Sequence, residues 1–327
     1  MEQPKTEFKC RICGNSRNNE WFRTREMMYG LRDEFWYIQC SACKCLQIKE
    51  IPADMSRYYP GQYYSHKLYD PYKFKGFGGE IKKLKIKAAV FQNTPLQKGI
   101  RILFLRDQYK FLQELEVSRE SRILDVGSGN GGKFLYPLAE IGFKNVMGCD
   151  PYLDKPIKYE NGLEIKKTDI FGISGKWDLI TFHHSYEHIG NPVETMEEVA
   201  ELLAPGATCI VRIPTVSSYA WQHFKTDWFQ LDAPRHFFLH SIESMKIIAE
   251  KAGLELSRVW YDSTHSQFSE SEKYQKDIPL LTPQPTGLRQ YVKRKIIKKR
   301  YKRLAEKLNQ QQQGDQAAFF FRKAERA

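Results

Sequence analysis

Ile123–Gly131 reads I-L-D-V-G-S-G-N-G: an apolar run, an acidic residue, then Gly127, Gly129 and Gly131 at two-residue steps. Glycines let a chain turn sharply after a strand and let a ligand approach the backbone. A dinucleotide loop would space its second and third glycines three apart and aim its N–H groups at a pyrophosphate. Asp125 at the strand end would repel a pyrophosphate and suits a ligand carrying an ammonium group. Outward from this loop, short apolar runs (NVMGCD, LEIKKTDI, WDLITFHHS, ATCIVRIP) alternate with helix-like pieces at Lys133–Ile141, Val193–Leu203 and Ser241–Ala252. That alternation predicts a parallel sheet covered on both faces. Asn191-Pro192 and Pro205-Gly206 punctuate the helix after the fourth strand, whereas Pro137 sits oddly inside a predicted helix.

On these residues the sequence resembles the class I S-adenosylmethionine-dependent methyltransferases, from about Glu120 to the C-terminus. The resemblance implies an α/β, Rossmann-like seven-stranded methyltransferase sheet. It also implies that Asp125, Gly127, Ser128, Gly129 and Gly131 hold the methionine part of the cofactor. Asp150, in M-G-C-D-P, takes the family's acidic position on the ribose hydroxyls, with Pro151 next to it. Asp169, in K-K-T-D-I-F, takes the position that receives the adenine amino group, with Ile170 beside the base. His183 completes the expected cofactor set, with a core-facing position as its alternative. Gly253–Thr264 and Asp315–Arg322 match the antiparallel pair that ends the family's sheet, so residues 288–309 would be a basic helical insertion between them.

Asp178–Pro192 reads D-L-I-T-F-H-H-S-Y-E-H-I-G-N-P and ends the fourth strand. Ligands of doubly wound sheets bind at the carboxyl ends of strands, which places His183, His184, Tyr186, Glu187 and His188 near the reacting methyl. A hydroxyl or acidic carbon acceptor needs a base, and histidine has a suitable pKa. His184 is the preferred base. His188 belongs to a Glu-His pair that recurs in the family as a structural feature, and it is a further candidate. A second cluster, Trp228–His240 (W-F-Q-L-D-A-P-R-H-F-F-L-H), offers Asp232, Arg235 and His236 between aromatic residues. It reads either as a wall for a polar, ring-shaped substrate, with His236 as base or ligand, or as a loop held by a structural Arg235 ion pair.

Five of seven cysteines lie in the first 45 residues. Cys10-x2-Cys13 and Cys40-x2-Cys43 are spaced for one closed tetrahedral zinc site of structural type, and Cys45 is an alternative to Cys43. Buried thiol clusters or a redox pair are the competing readings, and disulfides are the weaker one in a reducing compartment. FKCRICGN and IQCSACKC each read as a short strand ending in a knuckle. Cys149 and Cys209, in apolar runs, read as core residues. The expected organisation is a zinc-ribbon-like module over 1–60, a helical connector over 61–118 and the methyltransferase domain over 119–327. Across the boundary between module and connector, Asp54–Ser65 reads as an aromatic linker. Glu80–Val117 has helical spacing in two pieces broken by Asn93-Thr94-Pro95.

The 327-residue chain carries 51 Lys and Arg against 39 Asp and Glu, a net charge of +12. Lys67–Lys110 and Leu288–Leu304 hold more than all of this excess, so the rest is mildly acidic. That argues against one broad nucleic-acid face and favours local contacts with anions. Leu288, Val292, Ile296, Leu304 and Leu308 among the basic residues read as an amphipathic helix. It would contact an anionic membrane surface or a partner, or else lie solvated on the sheet edge. No apolar run reaches transmembrane length, and the polar start MEQPKTEFKC gives a cytoplasmic expectation, peripheral to the inner membrane face if the helix binds lipid.

The order of these segments, with YDST and S-E-K-Y-Q-K-D-I-P-L (271–280), resembles methyltransferases of bacterial surface-glycan and deoxysugar clusters. It implies methylation of a nucleotide sugar or lipid-linked glycan, in surface polysaccharide or secondary-metabolite synthesis. The zinc-containing sugar C-methyltransferases have a further large C-terminal domain that this sequence does not show, which leaves O-methylation equally open. The alternative function is an RNA methyltransferase with a zinc-ribbon RNA-binding module. Against it, the fourth-strand loop lacks the Asn- or Asp-Pro-Pro-aromatic turn of base-amino methyltransferases.

Overall fold

The computed structural model describes residues 8–59, 69–91, 109, 111, 112, 115, 117–283 and 287–323. By contacts the chain divides into two compact units. One contains residues 61–183 and 198–210; the other contains 1–60, 184–197 and 211–327. The second piece of the predicted connector helix lies largely outside the described residues. Its first piece is a helix, α1 (Gly76–Val90).

The first unit holds the parallel sheet. Its strands are β4 (Arg122–Val126), β5 (Asn145–Cys149), β6 (Ile157–Lys158), β7 (Glu164–Lys166) and β8 (Trp177–His183), joined by the start of β9 (Leu203–Pro214). Their order is β9-β8-β4-β5-β7-β6. β4 runs parallel to both β5 and β8, β5 runs parallel to β7, and β6 closes the edge antiparallel to β7. The two-residue β6 is an addition to the seven strands expected from sequence. Ile123, Leu124, Leu179, Ile180 and Phe182 are fully buried, as continuous apolar strands must be when both faces are covered.

The helix after the glycine loop, α2, spans only Leu135–Glu140, shorter than the predicted Lys133–Ile141. Pro137 is its third residue, where a backbone N–H would have no partner inside the helix, so the proline is accommodated without a kink. The crossover helix α3 (Pro192–Leu202) begins on the predicted proline.

The other unit has two sheets. β1 (Glu20–Arg25), β2 (Glu34–Gln39), β3 (Leu46–Ile48) and β10 (Phe238–Leu239) form an antiparallel sheet in that order. β10 comes from the Trp228–His240 segment, so that segment is built onto the cysteine module through Phe238 opposite Gln47 and Leu239 opposite Leu46. The predicted strand at FKCRICGN does not form: the Cys10 N–H bonds to the carbonyl of Asn15 in its own turn and is spent there. β11 (Leu254–Tyr261) and β12 (Gln316–Lys323) pair antiparallel, as predicted, next to the end of β9.

Helix α4 (Tyr219–Phe224) follows β9, and α5 (Ile242–Lys251) starts at a capping box in which Ser241 and Ser244 satisfy each other's backbone N–H groups. Two short helices, α6 (Ser266–Ser269) and α7 (Ser271–Gln275), precede the predicted basic helix, α8 (Leu288–Gln310). No helix among the described residues is long and apolar enough to cross a membrane.

Candidate active site and metal centre

β4 delivers Asp125 to the end of the parallel sheet, and the chain then turns through Gly127, Gly129 and Gly131, all at positive φ (69°, 55° and 69°). The loop is fastened from below: the N–H groups of Gly127 and Ser128 both donate to the carbonyl of Cys149, at 2.8 and 3.2 Å. A side chain at Gly131 would be strained by its positive φ, and its Cβ would also lie 2.7 Å from Ile165 Cδ1, which would have to shift. Asp150, at the end of β5, accepts the Gly129 N–H at 2.9 Å on one oxygen and the Tyr152 N–H at 2.9 Å on the other. Pro151 follows it on an exposed turn.

Asp125 is buried, and among the described residues it accepts one hydrogen bond, from the Thr181 hydroxyl at 2.8 Å. Burial raises its pKa to about 7 despite that bond, and the charge of Asp150 adds to the rise. A buried carboxyl so sparsely supplied with donors fits a cationic ligand group.

Asp169 caps the turn Ile170–Gly172 by accepting the Phe171 N–H at 3.1 Å, which leaves Ile170 buried and Phe171 exposed. His183 packs against Phe134 and Phe111, with ring centroids 4.6 and 5.5 Å apart. The sequence reading missed Tyr69, Tyr136 and Tyr159. Tyr69 stacks 4.8 Å from Tyr136, which meets Tyr159 at 5.0 Å. The Tyr159 hydroxyl donates to the carbonyl of Asn130 in the glycine loop. Their only sequence signal was aromatic density, without a period to place it.

In the other unit, His184, His188 and His236 surround Glu187. His184 has positive φ (54°) and is partly exposed, and its Nδ1 lies 3.5 Å from Glu187 Oε1. Its Nε2 is 2.9 Å from the Arg212 guanidinium, which can only donate, so the lone pair a base would use is engaged. Arg212 is itself held by Asp262 at 2.6 Å.

His188 places Nδ1 2.7 Å from the carbonyl of Arg235, and His236 places Nδ1 2.7 Å from the carbonyl of Gln230. A carbonyl only accepts, so both Nδ1 atoms carry hydrogen, and in the neutral form of such a ring Nε2 holds the lone pair. His236 Nε2 lies 3.9 Å from Glu187 Oε1. Burial lowers the pKa of His236 to about 4, keeping it neutral. Burial would raise that of Glu187, but the His184 contact and the neighbouring rings of His188 and His236 outweigh it and hold the carboxyl at about 2.

Arg235 has the structural role. Fully buried, it meets Asp232 through both Nε and Nη2 (2.9 and 2.6 Å), Glu26 at 2.9 Å and the carbonyl of Tyr58 at 3.1 Å.

The four predicted thiols converge. Cys10 and Cys43 sulfurs are 3.6 Å apart, Cys13 and Cys40 sulfurs 3.5 Å, and all four lie within 4.8 Å of one another. These separations are too long for disulfides and suit thiolates around one tetrahedral zinc. The Gln47 amide and the Ile12 N–H donate to the Cys10 sulfur, as anionic sulfur requires. Cys45 is not in this group: its sulfur faces the Leu239 carbonyl and His240. Cys149 and Cys209 are buried in the sheet.

The Rossmann-like sheet, the glycine loop and the acidic residues at successive strand ends define a class I methyltransferase fold. Residues 98–259 match the family model described as a methyltransferase domain. The protein is an enzyme, an S-adenosylmethionine-dependent methyltransferase.

Comparison with curated proteins gave no match. Solved structures with a similar chain course include an S-adenosylmethionine-dependent methyltransferase from Thermotoga maritima described as a possible histamine N-methyltransferase. It is 16% identical, with 64% of this chain and 85% of that one covered at a TM-score of 0.40. A putative sarcosine dimethylglycine methyltransferase from Galdieria sulphuraria is 16% identical, with 69% and 88% covered at 0.43. Magnesium protoporphyrin IX methyltransferase from Synechocystis with bound S-adenosylhomocysteine is 18% identical, with 59% and 91% covered at 0.39.

Proposed function

We propose that the protein methylates a hydroxyl of a sugar, presented as a nucleotide sugar or a lipid-linked glycan, in surface polysaccharide or secondary-metabolite synthesis. The observation that carries this reading is the histidine group around Glu187. It sets two imidazoles, each tied through Nδ1 to a backbone carbonyl, beside a buried carboxylate, and a hydroxyl acceptor needs polar groups of this kind to lose its proton. S-adenosylmethionine supplies, when bound, a methyl group already activated on a sulfonium. The chain's own residues then do three things. Asp125 and the backbone of Gly127–Gly131 hold the methionine end, Asp150 holds the ribose diol, and Asp169 with Ile170 holds the adenine. The Glu187 group assists removal of the acceptor's proton. The Cys10, Cys13, Cys40 and Cys43 thiolates hold a structural zinc that fixes the antiparallel sheet, including β10.

The chemistry is tested by incubating the zinc-loaded protein with isotopically labelled S-adenosylmethionine and, separately, nucleotide sugars, lipid-linked glycans and RNA. Label on a sugar hydroxyl is the expected result. Label on RNA alone would replace this reading with the RNA one.

We propose further that α8 contacts an anionic lipid surface. Tyr291, Val292 and Ile296 are 49, 48 and 66% exposed among Lys293, Arg294, Lys295 and Lys298, a pairing that suits the headgroup boundary. Flotation with phosphatidylglycerol vesicles should carry the protein upward, and phosphatidylcholine vesicles should not. Equal recovery with both would remove the proposal.

A further inference from the structure

Glu187 is fully buried, and neither of its carboxylate oxygens has a hydrogen-bond partner among the described residues. The histidines beside it do not supply good donors. His188 and His236 have each spent their Nδ1–H on a backbone carbonyl, and His184 stands off at 3.5 Å. One ligand atom each from Glu187, His188 and His236 lie within 4.8 Å of one another. Three electron-pair donors therefore converge on one point. A buried carboxylate without a hydrogen-bond donor suits a cation bound beside it. An imidazole that gives its Nδ1–H to a carbonyl and keeps Nε2 free is also how proteins orient histidine toward a metal.

We infer that Glu187, His188 and His236 bind a divalent transition-metal ion, at a site separate from the four thiolates. Two imidazoles and one carboxylate suit zinc and its first-row neighbours rather than calcium or magnesium. His184 is not a ligand, because its Nε2 is engaged by Arg212. Asp232 lies near, with Oδ2 3.8 Å from His236 Nε2, but both its oxygens serve Arg235. Three protein ligands leave a coordination position open, and His188 is only half-buried, so the group is not sealed.

What the ion does rests on the sugar-hydroxyl reading. An acceptor hydroxyl coordinated at the open position would lose its proton to solvent more readily. His188 and His236 would then act as ligands rather than as bases.

The test uses the full chain with the thiolate site pre-loaded with zinc, titrated with Co2+ alone. The expected result is one further equivalent of Co2+ with weak visible bands and no thiolate-to-cobalt charge transfer. Glu187→Gln, which keeps the shape of the side chain, should weaken this binding by more than about 100-fold while S-adenosylhomocysteine still binds. The inference is overturned if the wild-type protein takes up no further equivalent, if Co2+ only displaces zinc from the thiolates, or if the variant binds Co2+ unchanged. Should that variant unfold by circular dichroism, the wild-type spectrum decides alone. Its loss leaves the acceptor screen standing, and failure of the acceptor screen leaves the metal titration standing.

Discussion

The carbonyl oxygen of Arg235 lies 2.7 Å from Nδ1 of His188, and the side chain of the same arginine is locked between Asp232 and Glu26. One residue therefore fixes a histidine of the candidate site through its backbone and joins the cysteine module to the Trp228–His240 segment through its guanidinium. The two roles are coupled by a side chain that cannot move.

Arg235→Ala should consequently destabilise the protein by about 3–5 kcal/mol, because it leaves the buried Glu26 and the half-buried Asp232 without their cation. Arg235→Lys keeps the charge but cannot reach Asp232, Glu26 and the Tyr58 carbonyl in one fixed fork, and it should fall between the two. Denaturant melts of the three proteins check this. A loss under about 1 kcal/mol for the alanine variant would mean that the ion pairs are solvated and that His188 is positioned by something else.

The thiolate site gives a second expectation. In the proposed function the four thiolates hold zinc, and a small sheet such as β1-β2-β3-β10 would lean on that metal to fold. Cys40→Ser should remove the structural zinc and accelerate amide exchange along Trp21–Phe22 and Trp36–Ile38, which form the β1–β2 ladder. Exchange in β4 and β5 should stay slow. Full zinc retention by Cys40→Ser would show that the sulfurs gather without a metal.

Asp150 offers a third. Its oxygens already hold the N–H groups of Gly129 and Tyr152, so the residue acts on the loop and, in the proposed function, on the ribose. Asp150→Asn keeps an acceptor but gives up the charge. S-adenosylhomocysteine affinity should fall about 10–100-fold, the range for hydrogen bonds to a charged group. Calorimetry checks this, and unchanged affinity would move the ribose contact elsewhere.

Much of this arrangement was legible in the sequence, and for identifiable reasons. The glycine loop, the strand-end acids and the four thiols are local patterns, where the spacing of Asp125, Gly127, Gly129 and Gly131 or of Cys10 and Cys13 is itself the geometry. The β11–β12 pair was legible from two apolar runs of matching length. The pairing of Phe238 and Leu239 with β3 was not, because a two-residue strand has no period and its partner lies nearly 200 residues earlier. Nor could the sequence decide between Cys43 and Cys45, since both follow Cys40 within reach of a metal and only the fold turns Cys45 toward His240. Arg235 read equally well as a substrate ligand or a structural ion pair. Its decisive partner, Glu26, is 209 positions away. The choice of His184 as base could not foresee Arg212, which sits on a different strand.

The last prediction turns on the pKa of Asp125, raised to about 7 chiefly by burial. A carboxyl whose folded pKa lies above its unfolded value near 3.8 binds more protons when folded. Its contribution to stability is therefore present at low pH and is lost as pH rises from about 4 to about 7. Asp125→Asn removes that loss, so the ligand-free variant should be more stable than the wild-type protein at about pH 8 and not at about pH 4. Ligand binding should run the other way. A ligand ammonium group favours the carboxylate, so S-adenosylhomocysteine affinity should rise by up to about tenfold per pH unit below about pH 7 and flatten above it. In Asp125→Asn it should be weaker and level over the same range. Calorimetric titrations across these pH values, beside denaturant melts without ligand, measure both arms. Wild-type affinity that does not change with pH would show that Asp125 is not where the ligand's positive charge rests.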